Sequence, residues 1–157
     1  MDRLQFDTTG VLIVCERCGQ RNRIRFESLD RGARCGKCQA DVPPPASPVE
    51  VRTAEEFAAL IDYSALPVLV DFWAAWCAPC RMVAPELAKV ATSHAGRIVV
   101  AKLDTDALSD VATRLGIQSI PTMALFHGGR ELARTSGARP AAAIAAFVDQ
   151  AHPANLP

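Results

Sequence analysis

Six cysteines in 157 residues fall into three pairs of one form, Cys-x-x-Cys: Cys15 and Cys18, Cys35 and Cys38, Cys77 and Cys80. Two sulfurs at that spacing share one turn of chain, where they hold a metal, close a disulfide or carry out thiol chemistry. The stretch "VPPPASP" separates the first two pairs from the third. Its four prolines remove backbone donors and favour an extended, semi-rigid segment. The expected organisation is therefore a small region over 1–42, a linker over 43–48 and a second region over 49–157.

In the first region sixteen residues lie between Cys18 and Cys35, a spacing at which two thiolate knuckles converge on one tetrahedral zinc. "VLIV" runs into the first knuckle and "RNRIRF" out of it, which predicts two short strands of a zinc ribbon. Gly19 and Gly36 are expected to permit the tight turns. Eight basic and six acidic side chains over 1–41 offset four thiolates and a divalent ion, leaving no net charge. Two disulfides are the alternative for these four cysteines. A segment this short, with few large apolar groups, needs a staple, and zinc supplies roughly 10–16 kcal/mol of folding free energy. Four thiolates leave no open position for water, so no metal catalysis is expected.

Seventeen basic and seventeen acidic residues cancel over the whole chain. Arg17, Arg21, Arg23, Arg25, Arg31 and Arg34 are interleaved with acids and lack an aromatic stacking series, so no nucleic-acid partner is expected. His94, His127 and His152 show no ligand spacing and read as surface or edge residues. The beginning carries Asp2 and Asp7 and only five consecutive apolar residues, too few for a signal-peptide core. No apolar run approaches the ~20 residues that span a bilayer, so a cytoplasmic monomer without a membrane partner is expected. The cytoplasm keeps thiols reduced, which argues against structural disulfides.

The second region alternates apolar runs with helical stretches, the pattern of an α/β domain. Thr53 and Glu56 form a capping box that opens a helix with Phe57, Leu60 and Ile61 on its apolar face. Pro67–Trp73, Ile98–Leu103 and Thr122–His127 read as strands, the first two apolar enough to be buried on both faces. Gly128-Gly129 signals a tight turn into a strand over Glu131–Ser136, and Pro140 suits the first position of a last helix through Gln150.

Cys77 stands where strand "PVLVDFW" gives way to a helix with apolar positions Met82, Val83, Leu87, Val90 and Ala91. Free backbone N–H groups and the positive end of the helix dipole favour a thiolate there, lowering its pKa from about 8.5 to roughly 3.5–7.5. Cys80, one turn further in, is expected to be more buried, to stay protonated and to resolve a mixed disulfide formed at Cys77. Asp71 interrupts the apolar strand and shares a face with Trp73. A desolvated carboxylate with a raised pKa there is suited to accept the Cys80 proton.

"VDFWAAWCAPC", Pro85, Lys102, "GIQSIPT" over Gly116 to Thr122, and Gly137 occur together in the order and spacing of thioredoxin, and residues Val49 to Ala151 resemble that family. With the two preceding cysteine pairs, nearly the whole chain resembles the zinc-containing second type of bacterial thioredoxin. The resemblance implies a thioredoxin fold, a central mixed sheet flanked by helices, behind a small zinc ribbon. It implies that Pro121 is a cis-proline beside the dithiol and that Ile120 offers its backbone to an extended substrate. Trp76, Ala78, Pro79, Ile120, Gly137 and Ala138 would form a flat apolar docking patch, and Lys102 would tune Asp71. Ala78 stands where glycine is usual, and its methyl group bears on the reduction potential, where each 30 mV is about 1.4 kcal/mol. The implied activity is protein disulfide reduction, recharged by an NADPH-dependent flavin-containing thioredoxin reductase, with no organic cofactor on this chain. The alternative is a zinc-switched binding module or chaperone, in which oxidation of Cys15, Cys18, Cys35 and Cys38 ejects the metal.

Overall fold

The computed structural model describes residues 4–152; Asp2 and the outer ends of the 1–42 and 49–157 ranges lie outside the described residues. Three strands open the chain: β1 (Leu4–Phe6), β2 (Gly10–Val14) and β3 (Arg21–Arg25), paired antiparallel in sequence order. A short 3-10 turn over Phe26–Ser28 follows, then β4 (Ala33–Arg34) and β5 (Asp41–Val42), which pair across the second cysteine knuckle. The run "VLIV" thus lies in β2 and "RNRIR" in β3, with Phe26 passing into the 3-10 turn, whereas β1, β4 and β5 are too short to carry a period of their own.

From Val49 the chain builds β6 (Val49–Val51), α1 (Ala54–Tyr63), β7 (Val68–Trp73), α2 (Ala78–Ser93), β8 (Val99–Asp104), α3 (Ser109–Arg114), β9 (Thr122–His127), β10 (Arg130–Ser136) and α4 (Ala141–Ala151). The sheet order is β10-β9-β7-β8-β6. β6, β8 and β7 run parallel, while β9 and β10 are antiparallel additions, so the sheet is mixed. β7 is buried along Val68–Phe72, as an apolar run in the middle of a covered sheet must be. Leu69 joins the cluster made by Val83, Leu87, Val90, Val100, Met123, Leu125 and Ile144, so its side of the sheet lies under α2 and α4. Val68, Val70 and Phe72 face the other way, with Leu60, Leu103 and Phe126. By strand alternation Asp71 belongs to the Leu69 face.

Several local expectations are corrected. The Thr53 hydroxyl accepts from the Glu56 N–H at 3.0 Å, but the Glu56 carboxylate reaches past it to the N–H of Arg52 at 2.9 Å. Glu56 also binds the Arg52 guanidinium at 3.1 Å, and that second attraction explains its choice. Pro140 is the cap residue of α4, one position before the first helical residue. Met82 is 71% exposed and off the packed face of α2, because Val83 and Leu87 already fill the stripe that meets the sheet. His94 is buried at the C-cap of α2, where its Nδ1 shares a 2.9 Å hydrogen bond with Ser93 and its Nε2 lies 3.6 Å from an Asp149 carboxylate oxygen on α4.

The ribbon lies against the larger sheet. Phe6, Val11, Ile24, Phe26 and Leu29 belong to the same apolar cluster as Val49, Leu60 and Val70. The Arg52 guanidinium donates to the Phe6 carbonyl at 2.8 Å, and the Ala65 N–H donates to the Phe26 carbonyl at 2.9 Å. Within the proline-rich stretch Pro45 is buried, and the Ala46 carbonyl accepts from the Thr92 hydroxyl on α2 at 3.1 Å.

Candidate active site and metal centre

Cys77 is the N-cap of α2, in extended conformation, and its Sγ accepts the Cys80 N–H at 3.2 Å. A sulfur there satisfies one of the donors that every helix start leaves free, and Pro79 in the first turn removes another. Cys77 and Cys80 are joined by a disulfide, with their Cα atoms 5.3 Å apart. Contrary to the expected difference, both residues are equally buried, at 3% exposure, because the bond turns both sulfurs into the same shielded turn.

Asp71 is fully buried, and neither carboxylate oxygen has a hydrogen-bond partner. Desolvation raises its pKa from 3.8 to about 7, against the pull of Lys102 and with a smaller push from Glu50. Lys102 pairs in register with Asp71 across β7 and β8. Its ammonium nonetheless stands 4.6 Å from the centre of the Trp73 ring, a cation–π contact that draws it toward the ring.

The Ile120–Pro121 peptide bond is cis, and the Ile120 carbonyl oxygen is 3.8 Å from Cys77 Sγ. The Gly137 N–H donates to the Pro121 carbonyl at 2.9 Å, with Gly137 at φ 96°, a conformation L side chains rarely adopt. Trp76 is 69% exposed and its indole N–H donates to Asp106 at 3.0 Å. Two shallow grooves are lined by residues that precede and follow the cysteine pair in the chain, Trp76 in one and Met82 in the other. Trp76, Thr105, Ile117 and Ile120 border one of about 400 Å³, and Met82, Glu86, Ala138 and Arg139 border one of about 340 Å³. Ala78 and Pro79 are exposed.

Sequence reasoning missed three residues here. Asp106 fixes the indole, and Thr122 donates to the Ser119 carbonyl at 2.6 Å while sharing a 3.0 Å bond with the Ser136 hydroxyl. That pair ties the Pro121 loop to the end of β10. Thr122 closes the quoted "GIQSIPT", but the motif does not show what its hydroxyl binds, and nothing in "DTDALSD" distinguishes Asp106 from its neighbours.

The other two cysteine pairs meet each other. All four sulfurs lie within 4.8 Å of one another, with Cys15 to Cys38 at 3.7 Å and Cys18 to Cys35 at 3.6 Å. Four thiolates around a tetrahedral zinc, at Zn–S of about 2.3 Å, stand about 3.8 Å apart. The donor set therefore fits that ion. The knuckles repeat one backbone pattern: Gly19 N–H to the Cys15 carbonyl at 2.9 Å, and Gln39 N–H to the Cys35 carbonyl at 3.0 Å. The left-handed position falls on Gly19 (φ 77°) and on Gln39 (φ 63°), so Gly36 is not the turn residue expected of it. Gly36 instead donates its N–H to the Asn22 side chain at 3.0 Å. Backbone N–H groups of Cys38 and Lys37 lower the Cys35 thiol to about 6. Cys18 is pushed up to about 11, as burial and the neighbouring thiols outweigh a backbone hydrogen bond from Gln20. Neighbouring thiolates repel one another, and a cation held among them would offset that repulsion.

The thioredoxin family profile matches residues 48–150. This chain belongs to the thioredoxin family. It is 39% identical over 140 residues to thioredoxin C-3 of Corynebacterium nephridii, covering 89% of this chain and 94% of that one. That share exceeds what residues 48–150 can hold, so the likeness extends beyond the thioredoxin profile. It is 47% identical over 96 residues to the bifunctional thioredoxin reductase/thioredoxin of Mycobacterium leprae, covering 61% of this chain and 21% of that one. Among solved structures, a point mutant of a thioredoxin from Halobacterium salinarum superposes with TM-score 0.62 at 28% identity, covering 68% of this chain and 91% of that one. As a thioredoxin, the chain is a thiol–disulfide oxidoreductase, and Cys77 and Cys80 are juxtaposed in it as a disulfide. No described helix is long and apolar enough to cross a membrane.

Proposed function

We propose that the chain reduces protein disulfides through Cys77 and Cys80. The single observation that carries this is Cys77 Sγ at the start of α2, accepting the Cys80 N–H while joined to Cys80. In the reduced form the same contacts favour a thiolate at Cys77. That thiolate attacks one sulfur of a substrate disulfide and forms a mixed disulfide, and the other substrate sulfur leaves as a thiolate. Cys80 gives its proton to Asp71 and attacks Cys77 Sγ, displacing as a thiolate the substrate sulfur still bonded there. Two electrons pass to the substrate, and the Cys77–Cys80 disulfide remains. The accessible turn of Ala78 and Pro79, the indole of Trp76, the backbone at Ile120 and Pro121 and the adjoining Gly137 and Ala138 receive the substrate chain, while Lys102 tunes Asp71.

A flavin-containing thioredoxin reductase supplied by NADPH returns the dithiol, a partnership supported by the fused reductase and thioredoxin of the Mycobacterium leprae relative. Cys15, Cys18, Cys35 and Cys38 hold zinc as a structural ion, with residues 1–42 as its ribbon, 43–48 as the connection and 49–157 as the redox domain. A reducing, cytoplasmic setting suits both the dithiol and the four thiolates. Insulin reduction driven by dithiothreitol tests the assignment: Cys77→Ser is expected to abolish the chain's acceleration, and retained activity in that variant overturns it. Cys80→Ser is expected to accumulate the mixed disulfide, seen as added mass.

A further inference from the structure

Asp71, Lys102 and Glu50 form one cross-strand row. β7 places Asp71 opposite Lys102 on β8, and β8 places Lys102 opposite Glu50 on β6. Parallel strands in register put facing residues on the same side of the sheet, here the side covered by α2. Val49 and Val51, the neighbours of Glu50, point into the opposite cluster, which confirms its orientation. Burial is graded along the row: Asp71 is buried, Lys102 half-buried and Glu50 exposed. The single cation therefore stands between a desolvated carboxylate and a solvated one.

We propose that Glu50 is a positioning residue for the exchange reaction: standing beyond Lys102, it opposes the ammonium's pull on Asp71 and keeps that buried carboxylate a proton acceptor. The inference rests on the proposed role of Asp71 and deepens it. Three features of the site compete for one positive charge. The Trp73 ring holds the ammonium at 4.6 Å, Glu50 offers a carboxylate that needs no desolvation, and Asp71 offers one in a dry site. Glu50 itself adds to the rise in Asp71 proton affinity that burial begins.

The elements packed around the row bring other charged groups, several of them paired among themselves. β9 brings Met123 opposite Asp71, with no charge. α2 brings Cys77 and Cys80, and its Glu86 and Lys89 bind each other at 2.8 Å. On α4, Asp149 stands with His94 at the far end of α2. Arg52 and Glu56, next along the chain from β6, are joined to each other.

The test is a carboxyl-carbon NMR titration of Asp71 in the full, zinc-loaded chain. Glu50 stands two strands from Asp71, about 10 Å by backbone spacing, and one of the two charges is solvated. In Glu50→Gln the Asp71 midpoint is expected to fall by about half a pH unit at low salt, and by less at 1 M salt. Glu50→Asp should keep most of the wild-type value, and Glu50→Lys should lower it further. The pH profile for decay of the mixed disulfide should move with the midpoint. An unchanged or raised Asp71 midpoint in Glu50→Gln overturns the inference about Glu50. A lowered midpoint with an unmoved decay profile supports the Glu50 coupling and overturns instead the proton-acceptor role of Asp71.

Discussion

The ribbon and the redox turn use the same four-residue motif, Cys-x-x-Cys, and differ in what the backbone does next. After Cys18 and Cys38 the chain folds back at a left-handed residue, so the Gln20 and Ala40 carbonyls accept from the Cys15 and Cys35 N–H groups at 2.8 Å. Two such hairpins present sulfurs to each other across a gap that fits an ion. After Cys77 the chain starts a sixteen-residue helix instead, and the two sulfurs bond to each other. The motif sets the sulfur spacing; the continuation decides between a metal cage and an exchangeable bond.

Metal removal offers the sharpest break of that comparison. Chelation under mild denaturant should cost the ribbon much of the roughly 10–16 kcal/mol that a structural zinc provides. Hydrogen exchange should then show Gly10–Val14 and Arg21–Arg25 losing protection. Unchanged protection in a demonstrably zinc-free chain would show that the ribbon stands on its shared apolar core alone.

Charge beneath the redox turn gives the next largest effect. Asp71 has a folded pKa of about 7 against 3.8, so the folded state binds a proton that the unfolded state releases between those values. Its contribution is fully present below pH 3.8 and is lost as pH rises through about 7. Asp71→Asn should therefore be more stable than the parent at pH 8 by about 2–4 kcal/mol, with flatter stability between pH 4 and 7. Urea titrations across that range check it, and equal stability at pH 8 would contradict the burial argument.

The docking role proposed for the third pair has a smaller expected effect. Asp106→Ala should release the Trp76 indole and raise KM for a protein disulfide about three- to tenfold, as expected for one hydrogen bond of about 1 kcal/mol, with zinc content untouched. The smallest change tests the ribbon turn: Gln39→Gly removes the left-handed strain of a residue with a Cβ and should stabilise the chain by up to about 1 kcal/mol. A loss of stability there would mean that the Gln39 side chain makes a contribution larger than its backbone strain.

Much of this was legible beforehand where long apolar runs carry their own period. β7, β8 and β9 lie within a residue of the bounds their apolar runs predict, because central strands need such runs to be buried. β6 was not: three residues behind Pro48 show no pattern, yet they bring Glu50 to the sheet edge. Met82 and His94 were misjudged for a related reason, since which side of a helix is covered depends on the neighbour that covers it.

Residue identity alone determined the chemistry: six thiols in three pairs, a carboxylate inside an apolar strand and an Ile-Pro beside it, because reactivity and ligand softness are properties of the side chains. Only the tertiary structure decided which sulfurs face which, how dry Asp71 is and that Lys102 stands between two carboxylates. Those facts depend on distances between segments far apart in the chain, and through-space electrostatics and desolvation exist only once the segments have packed.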